Sequence, residues 1–213
     1  MRELVVSRHP LVADLLARLR DRGTRPADFR DLVRRLATLL GVEATADLPL
    51  DAVEVETPLT RCAAARVQTR VGLVPILRAG LGMVDGLLDL LPDAEVWHLG
   101  LYRDEESLQP VEYYNKLDPA RPVRRALVLD PMLATGGSAA AAIAVLRRWG
   151  VEEIRFLGIL GAPEGVEALH AADPGVHIHL GALDERLDER GYILPGLGDA
   201  GDRQFGTLAP EPA

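Results

Sequence analysis

The 213 residues are 48% apolar and 26% charged, enough to bury one sizeable α/β core and too apolar for a disordered ground state. Asp and Glu number 32 against 24 Lys and Arg, a formal net charge of -8, and aromatic residues make up only 4%; such a chain repels polyanions and offers few stacking platforms, which excludes a general nucleic-acid binder. Cys62 is the only cysteine, so an intrachain disulfide and a cysteine-rich zinc site are excluded, and it reads as a small filler.

Leu11, Val12, Leu15, Leu16 and Leu19 form a helical stripe after His9-Pro10 and end at Gly23. Phe29, Leu32, Val33, Leu36 and Leu40 form a second, which stops at Gly41. These two helices lead the chain before any strong strand signal. From about Arg70 the pattern changes to short apolar runs alternating with helical stripes, as expected for parallel strands joined by crossover helices. Val71 to Leu77 reads as a strand, Gly80 to Leu91 as a helix and Glu95 to Tyr102 as the next strand. Arg103 to Pro122 carries Asp104, Glu105, Glu106 and Glu112, the pair Tyr113-Tyr114 and three prolines, and reads as a projecting hairpin or loop. Ala126 to Asp130 is a buried strand, Gly136 to Trp149 a helix, Ile154 to Leu160 a strand, Pro163 to Ala171 a helix and Val176 to Leu183 the last strand. Gly191 to Gly206 holds five glycines, too many for a regular element, and reads as a structured loop. No apolar stretch of signal-peptide length opens the chain and no run of about 18 uncharged apolar residues occurs, so a cytoplasmic location without a membrane partner is the expectation.

Chemistry concentrates in Leu127-Val128-Leu129-Asp130-Pro131-Met132-Leu133-Ala134-Thr135-Gly136-Gly137-Ser138. A buried strand delivers Asp130 to its carboxyl end, where open parallel sheets bind ligands. Backbone N–H groups of the glycine turn, the hydroxyls of Thr135 and Ser138 and the dipole of the following helix then suit a phosphate. An ordinary strand-to-helix turn capped by Ser138 is the alternative. No Gly-Lys-Ser or Gly-Lys-Thr ends a glycine loop, which excludes Walker A. Arg78 follows Val-Pro-Ile-Leu at a strand end, two residues before Gly80, an unusual place for a surface charge.

The strand ending in Leu-Asp-Pro-Met-Leu-Ala-Thr-Gly-Gly-Ser resembles the phosphoribosyl pyrophosphate motif of the uracil phosphoribosyltransferase family. Val74 to Met83 is similar to that family's pyrophosphate loop, Tyr102 to Glu106 to its arginine-bearing segment, and Gly191 to Asp202 to its uracil loop. The likeness runs from the leading helices, through Glu43 to Leu48, to Phe205-Gly206-Thr207; Val53 to Arg70 and the tail from Leu208 match no family motif. It implies a type I phosphoribosyltransferase fold, a Rossmann-like α/β core with a mostly parallel sheet, as one domain over 1–213 with an arm at about 103–122 and a base loop at about 191–206. It also implies transfer of 5-phosphoribosyl from phosphoribosyl pyrophosphate to N1 of uracil, giving UMP and diphosphate.

By the same resemblance, Arg78, Arg103, Asp130 and Asp199 are the catalytic candidates. The donor is held by Arg78, Arg103, Asp130, Pro131, Met132, Leu133, Ala134, Thr135, Gly136, Gly137, Ser138 and Asp199, and uracil by Ile193, Gly198, Asp199 and Ala200. A non-proline cis peptide is implied in the Arg78 loop. Mg2+ is the expected cofactor. Relatives of the fold carry two adjacent acids where this chain has Asp130-Pro131, so the ion is expected on the diphosphate and water instead of on a carboxylate clamp. Lys116, Tyr113 and Tyr114 either close over substrate or contact another subunit. A homo-oligomer, and GTP as an effector, are family expectations. The five histidines (His9, His98, His170, His177, His179) read as solvated or core groups. An orotate enzyme needs a cation for the carboxylate, and none lies between Gly191 and Arg203; an RNA-binding regulator needs a basic face, which the net acidity opposes.

Overall fold

The computed structural model describes residues 3–103, 110–114, 117–118 and 120–207. Strand β1 (Glu3–Val6) comes first, ahead of helices α1 (Pro10–Arg20) and α2 (Pro26–Ala44). Sequence patterning missed β1 because four residues are too few to show a period. Both helices begin with proline, whose fixed φ suits a first turn. Helix α2 runs through Gly41 instead of stopping there, because its wheel stays buried through Ala44 and Gly41 packs against Leu87 and Leu90.

A hairpin follows, β2 (Leu50–Glu56) paired antiparallel with β3 (Arg61–Val67), in the stretch that matched no motif. Cys62 is exposed on β3 and is therefore not a core filler. Next come β4 (Val71–Pro75), α3 (Leu81–Leu90), β5 (Glu95–Val96), β6 (Gly100–Arg103) and β7 (Pro110–Tyr114). The expected single strand from Glu95 to Tyr102 is thus two: β5 pairs with β4, whereas β6 turns away to pair antiparallel with β7 and form the arm.

The remaining elements are β8 (Arg125–Leu129), β9 (Met132–Leu133), α4 (Gly137–Trp149), β10 (Glu153–Gly161), α5 (Pro163–Ala172), β11 (His177–Leu183), β12 (Arg186–Leu187), β13 (Ile193–Leu194) and α6 (Ala200–Phe205). The loop predicted from the glycines of 191–206 therefore contains a short strand and a short helix, because its glycines punctuate these elements without entering more than one of them.

The main sheet runs β1-β11-β10-β8-β4-β5, with β9 also on β10, and every pairing is parallel. Residues alternate between its faces. Leu73, Leu127, Leu129, Leu157 and Ile159 meet α1, α2 and α3, whereas Val74, Ala126, Val128, Phe156 and Ile178 meet α4 and α5. Burial on both faces explains why these strands read as unbroken apolar runs. No helix among the described residues is long and apolar enough to cross a membrane.

Candidate active site

The carboxyl ends of β4 and β8, in register at Pro75 and Leu129, bring two loops together. After β8 the chain is tied to β10: Ile159 and Leu160 N–H donate to Pro131 O at 3.1 and 2.9 Å, and Ala162 N–H donates to Leu133 O at 3.0 Å. Helix α4 then starts at Gly137 with Gly136 as N-cap at φ 79°. Ser138 sits within the first turn, so it is not the cap. Thr135, Gly137 and Ser138 are exposed, Met132 and Ala134 are half-buried, and Leu133 is buried in the core with only its backbone near the loop. Gly165 at the start of α5 supports this loop from behind: a Cβ there would lie 2.4 Å from Ala134 O and 2.7 Å from Leu133 O.

Asp130 accepts a hydrogen bond from Met132 N–H at 3.2 Å. Burial pushes its carboxyl up to about 7; the Met132 N–H works against this, and the charge of Asp199 adds to it. A carboxylate so short of donors, facing a second carboxylate, is suited to receive hydroxyl donors of a ligand.

Arg78 follows β4 in a tight turn in which Gly80 N–H donates to Ile76 O at 2.9 Å. A Cβ on Gly80 would stand 2.3 Å from Leu129 O, so only glycine lets this loop close on the end of β8. The Leu77–Arg78 peptide is cis, as the resemblance implied. Arg78 is exposed and donates through Nη2 to Asp202 Oδ1 at 2.9 Å.

The base loop is held by Arg20 of α1 and by Arg203 of α6. Arg20 grips Asp184 through both nitrogens at 2.8 and 2.6 Å and donates to Gly196 O at 2.7 Å, while Gly196 N–H donates to Asp184 Oδ2 at 2.8 Å. Burial pushes the Asp184 carboxyl up, but the bonds from Arg20 and Gly196 and the Arg20 charge outweigh it and keep it below the usual carboxylate range. Buried Arg203 donates to Leu197 O at 2.8 Å and to Asp21 O, and lies 4.7 Å over the Phe29 ring. Asp199 caps α6 by accepting from Asp202 N–H at 2.8 Å.

These loops enclose a cleft of about 230 Å³ whose walls include Asp130, Met132, Ala134, Ile193, Gly198, Asp199 and Ala200. Ala79, Gly191, Tyr192 and Gly201 also line it; all four belong to the recognised motifs, and of them only Tyr192 has a side chain with hydrogen-bonding chemistry. Pro131, Leu133, Thr135, Gly136, Gly137, Ser138 and Arg78 are not in its wall, although they flank it on the loops just described. Arg103 ends β6 at the arm. Tyr113 and Tyr114 lie on β7, while Asp104, Glu105, Glu106 and Lys116 fall outside the described residues. The histidines stay away from the cleft: His9 Nδ1 accepts from Leu11 N–H at 3.1 Å, His177 and His179 pair with Glu3 and Glu43 at 2.7 and 2.9 Å, and His170 is buried in α5.

A parallel sheet between helical layers, with a glycine turn after the central β8 and an acid at its start, defines the phosphoribosyltransferase fold. The hypoxanthine phosphoribosyltransferase of Trypanosoma cruzi, solved in complex with the product IMP, shares it with a TM-score of 0.52 over 75% of this chain and 79% of that one, at 11% identity, which is a likeness of fold alone. The AQ2163 protein of Aquifex aeolicus is far nearer, with a TM-score of 0.90 and 34% identity over 97% of this chain and 100% of that one. The chain belongs to the uracil phosphoribosyltransferase family: the family's sequence model matches residues 6–207. A uracil phosphoribosyltransferase of Roseiflexus castenholzii is 59% identical over 207 residues, 97% of this chain and 100% of its own length.

Proposed function

We propose that the protein is a uracil phosphoribosyltransferase, a pentosyltransferase that joins uracil to phosphoribosyl pyrophosphate and releases UMP and diphosphate. The observation that carries this is the meeting of the Asp130 phosphate loop with the Ile193–Ala200 base loop around one cleft, in a chain whose family membership is established over nearly its whole length.

In the reaction, N1 of uracil bonds to C1 of the ribose, the bond from C1 to the diphosphate oxygen breaks, and the N1 proton departs with the diphosphate. The backbone from Pro131 to Gly137, with the Thr135 and Ser138 hydroxyls, holds the 5-phosphate at the N-terminus of α4. Asp130 accepts from the ribose hydroxyls. Arg78 and Arg103 neutralise charge that builds on the leaving diphosphate, and Asp199, across the cleft from Asp130, stabilises the cation-like sugar. Main-chain groups of Ile193, Gly198 and Ala200 read uracil by its hydrogen-bonding edge; cytosine reverses that pattern and leaves buried groups unpaired.

Among the described residues no three His, Cys, Asp or Glu side chains cluster as a metal site, while Asp130 and Asp199 face the cleft. Two carboxylates at one cleft fit a hydrated magnesium ion, which they would hold through water and which would supply charge neutralisation for the leaving diphosphate. The same family membership supports one domain spanning the chain, a homo-oligomer, a cytoplasmic location and GTP as an effector.

Mixing the protein with uracil, phosphoribosyl pyrophosphate and Mg2+, with and without GTP, and separating the products chromatographically tests the proposal. UMP formation that falls at least a hundredfold in R78A and D199N is expected. A folded wild type that forms no UMP under either condition overturns the proposal, and a monomer in sedimentation contradicts the oligomer.

A further inference from the structure

Arg78 projects from its turn with 57% of its side chain exposed, but it is not a freely solvated charge. Its Nη2 donates to Asp202 Oδ1 at 2.9 Å and its Nη1 to Thr207 Oγ1 at 3.3 Å, while Thr207 Oγ1 donates to the same Asp202 oxygen at 2.7 Å. The three groups close a triangle. The bonds from Thr207 and Arg78 hold the Asp202 carboxyl below the usual carboxylate range.

Asp202 is itself fixed. Its backbone N–H donates to the capping Asp199, and its carbonyl accepts from Gly206 N–H at 2.8 Å and Thr207 N–H at 3.1 Å. Two residues further along the same helix, fully buried Gln204 donates to Ala79 O at 3.3 Å. Helix α6 therefore holds both the side chain of Arg78 and the backbone of the residue next to it.

An exposed ion pair adds little to stability, so stability alone is a poor reason for this arrangement. Ordering a free arginine on a ligand costs side-chain entropy, and one already held does not incur that cost. A guanidinium has five N–H donors; the triangle uses one on each terminal nitrogen and leaves the other three for a ligand. Two influences of Asp202 oppose each other, since it orders Arg78 while its charge repels an anion. Arg78 and Thr207 both occupy Oδ1, which blunts the repulsion and lets the ordering dominate.

We propose that Asp202, held with Thr207, is a positioning residue that sets the Arg78 guanidinium for the diphosphate of the phosphoribosyl donor. This rests on the transferase function proposed above. Calorimetric titration of inorganic diphosphate with Mg2+ into wild type, D202A, D202N, T207A, R78A and the R78A/D202A double variant tests it, alongside KM for each substrate. D202A should weaken diphosphate binding and raise KM for the phosphoribosyl donor by roughly three- to tenfold, with KM for uracil unmoved. T207A should show the same pattern with a smaller change, and D202N, whose amide oxygen still accepts from Arg78, should recover part of the loss. In the R78A background D202A should add nothing.

Unchanged or tighter diphosphate binding in both D202A and T207A overturns the proposal, as does an undiminished D202A effect without Arg78. Should D202A fail to fold, T207A and D202N decide in the same way. A wild type that binds no diphosphate and forms no UMP removes the transferase function and this proposal with it; an active wild type with indifferent variants removes this proposal alone.

Discussion

Asp130 carries a conflict between stability and chemistry. Its carboxyl is pushed from 3.8 to about 7, chiefly by burial. Between those pH values the folded chain keeps a proton that the unfolded chain has lost, so stability falls as pH rises through the window, by up to about 4 kcal/mol once the group is ionised. D130N removes this penalty. It should melt higher than the wild type at pH 8, with the difference vanishing toward pH 4, in thermal denaturation across a pH series; a variant less stable at pH 8 contradicts the account. The same variant should lose turnover, since a neutral amide is a weaker acceptor for ribose hydroxyls. Asp130 was legible in the sequence because a buried strand ends on it, whereas its titration was not, since burial sets it first and the charge of Asp199, 69 positions away in number, only adds to it.

At the scale of elements, motif residues were legible and their supports were not. The glycine turn and the base loop announce themselves by composition, but Arg20 and Asp184, which clamp Gly196 from both sides, sit in an ordinary helix and just after an ordinary strand. Only folding brings them together. The side chain of Asp184 is 6% exposed, so D184A leaves Arg20 without its carboxylate and Gly196 without an acceptor. A loss of about 2–3 kcal/mol in urea denaturation is expected, together with a raised KM for uracil, because a base read by backbone groups needs that backbone fixed. Gly165 gives the complementary case on the phosphate side. A Cβ there meets two carbonyl oxygens of the phosphate loop, so G165A should cost about 1–3 kcal/mol and raise KM for the phosphoribosyl donor while leaving KM for uracil nearly unchanged. Equal effects on both substrates would show that α5 does not support the phosphate loop alone. Strand β1 and the β2–β3 hairpin escaped sequence reading for other reasons: β1 is too short to display a period, and the hairpin is exposed on most of its positions, with few apolar residues turned inward to mark it.

Across the whole molecule, the order of alternating apolar runs and helical stripes defined a parallel sheet between helical layers, and the parallel pairing throughout the main sheet agrees. What the order could not supply is how the leading helices meet the glycine-rich loop. Helices α1 and α2 precede all the others in sequence and α6 is the last described, yet Arg20 reaches the carbonyl of Gly196, Arg30 donates to Gln204 O at 2.8 Å, and Arg203 reaches back to Asp21. The leading helices are thus the bed of the base loop. The net charge of -8 also takes meaning at this scale: under the proposed function it offers anionic substrates no general attraction, which leaves their capture to local groups such as the amides after β8 and Arg78.

Initial rates of nucleotide formation from phosphoribosyl pyrophosphate and Mg2+, measured with uracil beside cytosine, orotate and hypoxanthine, test the uracil transferase directly. Turnover of uracil is expected, with discrimination of about a thousandfold or more against cytosine, since the wrong base leaves buried backbone groups unpaired. Comparable rates with cytosine, or a preference for orotate or hypoxanthine, would contradict it.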